Sequence, residues 1–76
     1  MTLEKIREIW AQQPFRPFVI HLPDGRSLSV EHPEFVSFPE GQNILVVTHA
    51  DGAESLIDLF LVSDITVKAP APLREQ

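Results

Sequence analysis

From Phe18 onward the chain switches between apolar and turn-forming residues every few positions, and this rhythm restricts it to short β-strands. Phe18, Ile20 and Leu22 alternate with Val19 and His21, a period of two that fits a strand. Pro23-Asp24-Gly25 then supplies turn chemistry: proline pre-sets φ, aspartate tolerates the bend, and glycine provides a positive φ. Leu28 and Val30 alternate with Ser29 and Glu31 on a second strand, which Pro33 interrupts. Phe35, Val36 and Phe38 follow before a turn at Pro39-Glu40-Gly41. Residues 43–49 form a near-continuous apolar run and predict a central strand. Asp51-Gly52 predicts a hairpin turn into a strand over 54–59. Residues 60–63 read as a short link, and 64–68 as the last strand.

The N-terminus has a different period. Thr2 can cap a helix that begins at Leu3, with Glu4 favourably placed in its first turn. Leu3, Ile6 and Trp10 recur at i, i+3 and i+7, and Ile9 widens the stripe. Pro14 disfavours helical geometry in the residue before it, so the helix is expected to stop near Gln13. A helix this short is marginal alone in water, and its stripe must dock on the sheet that follows. Pro14 and Pro17 frame a stiff elbow, Pro14-Phe15-Arg16-Pro17-Phe18, between the two.

One helix followed by about five antiparallel strands, with a tight turn before the last, predicts an α+β fold. The layout resembles the small β-barrels of the SH3-like and Sm-like types. Residues 1–68 form a single helix-plus-barrel domain in this reading, and 69–76 a flexible tail. Two segments share an apolar strand, Asp-Gly and then Ser-Leu, at 19–28 and 46–56. Over so few positions, reuse of good turn chemistry is the better reading than a duplicated hairpin, and the match carries nothing functional.

Cysteine is absent from the 76 residues, so neither disulfides nor thiolate metal sites can staple the fold. A chain of this length buries about 60–65% of its unfolded surface, so packing must hold it together, with self-association as an optional further source. No apolar run is long enough to span a membrane, and the charged helical start is unlike a secretory signal. The expectation is a cytoplasmic protein of bacterial type. Residues 27–67 hold Glu31, Glu34, Glu40, Asp51, Glu54, Asp58 and Asp64 and not one lysine or arginine. Such a body repels phosphate backbones and favours neutral or basic partners.

Pro14-Phe15-Arg16-Pro17-Phe18, then His21-Leu22-x-Asp24-Gly25-Arg26, then His32-Pro33-Glu34-Phe35 resemble a family of short, uncharacterised bacterial proteins. The resemblance spans residues 3–67. It implies a complete small protein and carries no activity over.

The residues that could carry chemistry each have a structural alternative. His21, His32 and His49 lie on or beside three strands and could converge on zinc with Glu31 or Glu34, but their spacing matches no compact metal motif. Structural or surface roles are the plainer reading, and no metal or cofactor is expected. Pro33 marks an edge or bulge, with Phe35 and Phe38 folding into the core. Alternatively His32 and Glu34 are polar contacts beside an aromatic wall. Phe15 and Arg16 either pin the elbow, with Arg16 pairing a nearby carboxylate, or form an exposed docking peptide. Trp10 is expected in the core, where its indole N–H needs a partner.

Catalysis has little support. There is no cysteine nucleophile, no nucleophile-elbow serine and no glycine-rich phosphate loop among three glycines. The sequence therefore predicts no enzyme, but a protein-interaction or self-assembly module whose candidate contacts are Phe15, Arg16, His32 and Glu34. Two alternatives stand beside it. One is an Sm-like oligomeric RNA-binding protein using Lys5, Arg7, Arg16 and Arg26 as a cationic face. The other is a small-molecule or metal-binding regulator built on the histidines.

Overall fold

In the computed structural model, residues 2–69 are described. Helix α1 (Leu3–Trp10) precedes six strands: β1 (Phe18–His21), β2 (Ser27–Val30), β3 (Val36–Ser37), β4 (Ile44–Thr48), β5 (Glu54–Asp58) and β6 (Asp64–Val67). One 3₁₀ turn, Pro33–Phe35, lies between β2 and β3, and a second, Leu59–Leu61, between β5 and β6. The strands form two antiparallel sheets with orders β2-β1-β6 and β3-β4-β5. The fold is α+β, as the alternation predicts. Among the described residues no strand pairing joins the two sheets into a closed barrel.

Six strands replace the expected five or so because Pro33 divides one segment between two sheets. It lacks a ladder donor, and the 3₁₀ turn it opens is closed by the Phe35 N–H donating to the His32 carbonyl at 3.2 Å. Val36 then pairs with Val47 and Ser37 with Val46, while β2 stays with β1. The central strand expected over 43–49 is β4, between β3 and β5.

Thr2 Oγ1 caps α1 by accepting the Lys5 N–H at 3.2 Å. The helix ends at Trp10, earlier than Pro14 alone requires. Ala11 leaves helical geometry at φ −89°, ψ 3°, and residues 11–17 turn Phe15 back onto Phe18 (ring centroids 6.0 Å apart). Ile6 is fully buried, and Leu3, Ile9 and Trp10 pack against the core, so the apolar stripe docks as expected.

Register determines which side chains meet. Phe18 sits between Val30 and Val67, and Ile20 between Leu28 and Ile65. In the second sheet Leu45 faces Ile57, and Val47 faces Val36. These inward rows, with Ile6 and Leu59, make a core that holds no buried polar or charged residue among the described ones. Burying side chains of this size contributes about 1.5–3 kcal/mol each before entropy is subtracted.

The β1–β2 and β4–β5 turns are built alike. Leu22 N–H donates to Arg26 O at 2.9 Å, and His49 N–H to Ala53 O at 2.7 Å. Gly25 and Gly52 sit at φ 93° and 90°, where a side chain is strained. Asp24 Oδ1 accepts the Arg26 N–H at 3.0 Å, and Asp51 Oδ1 the Ala53 N–H at 2.9 Å. The tail expected over 69–76 lies, from residue 70, outside the described residues. No described helix is long and apolar enough to cross a membrane.

Candidate functional site

The four residues singled out from sequence occupy two places. Phe15 is half-buried against Phe18. Arg16 Nε donates to the carbonyl of Lys68 at 2.9 Å, so its partner is main chain and not the expected carboxylate. This bond ties the elbow to the end of β6, next to the Lys68 N–H bond to Pro17 O. His32 is exposed, with its ring edge-on to Phe35 at 5.6 Å, and Glu34 is exposed in the first 3₁₀ turn. Among the described residues no hydrogen bond or ring contact joins Phe15 or Arg16 to His32 or Glu34. The nearest link runs through Lys68, whose Nζ reaches Glu31 Oε2 at 2.9 Å.

The first 3₁₀ turn is held by the helix. Trp10 Nε1 donates to Pro33 O at 2.8 Å, giving the indole the partner it needs. Trp10 meets Phe38 edge-on at 5.2 Å, and the Arg7 guanidinium lies 5.1 Å from the Phe38 ring centroid. Phe38 packs on the core while Phe35 stays half-buried beside His32, so only one of the two phenylalanines folds back as expected. Arg7, Trp10, Val36, Ser37 and Phe38 line an open recess here.

The histidines are separately engaged. His21 Nε2 lies 3.0 Å from Thr66 Oγ1, and His49 Nε2 lies 2.8 Å from Ser55 Oγ. Among the described residues no group of three or more histidine, aspartate and glutamate side chains could hold a metal ion.

Each cation of the described residues also has a local contact. Lys5 is 3.6 Å from Glu8, and Arg26 Nε is 2.8 Å from Asp24 Oδ2. The Arg26 backbone N–H, followed by its guanidinium, holds the Asp24 carboxyl below the ordinary carboxylate value. Leu22, Pro23, Asp24, Arg26 and Leu61 border a small cleft of about 200 Å³ beside this pair.

The second sheet is different. Asn43 O accepts the Leu59 N–H, and Ala53 O the His49 N–H, at the two ends of the β4–β5 ladder. Antiparallel pairs alternate, so Leu45–Ile57 and Val47–Ser55 exchange hydrogen bonds and the pairs of Glu54, Leu56 and Asp58 do not. The N–H and C=O groups of Glu54, Leu56 and Asp58 therefore point away from β4, along a sheet edge. Among the described residues no other backbone group bonds them. The exposed large apolar residues fall in the same stretch: Leu56 at 67%, Phe60 at 81% and Leu61 at 57% exposure. Asp58 ends the strand by accepting the Phe60 N–H on Oδ1 at 3.0 Å.

Sequence reasoning passed over this stretch, although one signal was present. Leu56 shares strand parity with Glu54 and Asp58, which places it on the solvent face. Comparisons of the chain with protein-family models, with curated proteins and with solved structures found no match.

Proposed function

We propose that this chain is a non-catalytic protein-interaction module, a small open barrel of the SH3-like or Sm-like kind that engages other chains through its second sheet. The observation that carries this reading is the stretch from Leu56 to Leu61. It sets three exposed apolar side chains beside an unpaired sheet edge. An edge of this sort is a template for another strand, and apolar exposure on one segment marks an interaction surface.

The element order supports the open-barrel reading. The chain leaves the first sheet at Pro33 and returns to it through the second 3₁₀ turn, the exchange between sheets that such barrels use. The charge distribution favours protein over nucleic acid. Lys5, Arg26 and Lys68 face carboxylates, Arg16 bonds a carbonyl and Arg7 covers Phe38, which leaves little of the cationic face an RNA backbone needs.

Solution mass by light scattering during size exclusion, at low and high salt, tests the reading. A monomer or dimer at both salts, with no RNA retained at low salt, is the expected result. A ring of about five to seven subunits that retains single-stranded RNA at low salt and releases it at high salt would replace it with the nucleic-acid reading.

A further inference from the structure

We infer that the free edge of β5 binds an extended segment of a partner protein with the pattern basic–x–apolar–x–basic, by adding it as a fourth strand to the second sheet. The inference rests on the interaction reading and names its surface and partner.

The edge offers the N–H and C=O groups of Glu54, Leu56 and Asp58 at alternate positions. An added strand bonds all three residues, and its own residues at the same spacing fall directly opposite them, on the same face. On that outer face Leu56 stands between two carboxylates, next to Val46 across the ladder. The residue opposite Leu56 is therefore apolar. Those two positions to either side meet Glu54 and Asp58, where lysine or arginine gains and an acid loses.

Charge also argues against a second copy of this chain. Two β5 strands paired antiparallel about Leu56 would set Glu54 opposite Asp58, like against like. Of the other edge strands, β6 brings Asp64 and no cation, β2 and β3 contain no charged residue, and Lys68 beyond β6 is engaged by Glu31. A basic strand from another protein completes the edge without that repulsion.

The test is a titration of the isotope-labelled protein with two capped peptides, one with a Lys-Thr-Val-Thr-Lys core and one with a Glu-Thr-Val-Thr-Glu core. Amide shifts are followed by NMR at low and high salt. The lysine peptide is expected to shift the amides of Glu54, Leu56 and Asp58 most, with weaker binding at high salt, and the glutamate peptide to leave them in place. The double variant Glu54→Gln, Asp58→Asn keeps the strand shape and the acceptor for Phe60, and should bind the lysine peptide about fivefold more weakly. Leu56→Pro, which removes an outward N–H and leaves the β4 ladder its donors, should abolish the response.

Equal binding of both peptides overturns the charge complementarity, and no shift at millimolar peptide overturns the edge as a site. Concentration-dependent shifts of the same amides without peptide give the edge to a second copy and also overturn the proposal. Shifts confined to the Leu22–Leu61 cleft would overturn it while leaving the interaction reading in place. A salt-released RNA-binding ring in the mass measurement would remove that reading itself.

Discussion

At the scale of single residues, the fold depends on a few side chains that satisfy main-chain groups. Asp24 serves the Arg26 N–H and guanidinium together, and its carboxyl is held below the ordinary carboxylate value for that reason. A folded-state value lowered in this way gives stability that is present above the unfolded carboxylate value of 3.8 and is lost as pH falls through the folded value. A carboxyl-detected NMR titration should find Asp24 titrating below a model aspartate. A midpoint at or above it would remove the ion-pair account of this turn. Trp10 works in the same manner on the other side of the molecule. Trp10→Phe keeps an edge-on ring beside Phe38 but removes the indole donor to Pro33 O, leaving that carbonyl the Val36 N–H alone, and should cost about 1 kcal/mol in urea unfolding. An unchanged midpoint would mean that solvent replaces the indole at no cost.

At the scale of elements, the two matching turns give a direct comparison. Gly25 and Gly52 both sit at positive φ with open space around the missing Cβ, so alanine at either is opposed by backbone conformation alone. Each substitution should destabilise by about 1–2 kcal/mol, and by similar amounts at the two sites, as read from denaturation midpoints. A large difference would show that the hairpins are not equivalent. These turns were legible in the sequence because Asp-Gly after an apolar run states its own geometry. The strands were legible because period-two alternation survives wherever one face is buried, as in Phe18, Ile20 and Leu22. Helix length was not, since nothing local marks Trp10 as its end, and Pro14 alone would allow the helix to run further. The division at Pro33 was half-legible: proline announced an interruption, but only pairing shows that Val36 and Ser37 change sheets. Arg16 departs from its expected carboxylate for a related reason: a carbonyl distant in the chain, that of Lys68, takes its Nε and leaves no trace in sequence.

At the scale of the whole molecule, charge and edges act together. The acid-only composition of residues 27–67 was plain from the start, but its meaning depends on where the acids sit. Glu54 and Asp58 flank Leu56 on the outer face of β5, while the bases of the described residues contact groups outside β5. The motif residues Phe15, Arg16, His32 and Glu34 lie in other elements, and an unpaired edge, being a property of main-chain pairing, has no residue signature. Native-state hydrogen exchange of the free protein is the most direct test that this edge is open for a partner. The amides of Ser55 and Ile57, bonded to β4, should exchange slowly, and those of Glu54, Leu56 and Asp58 at rates close to those of unstructured chain. Slow exchange at all five positions would mean that the edge is already paired within the molecule or with its copies, and would contradict the account.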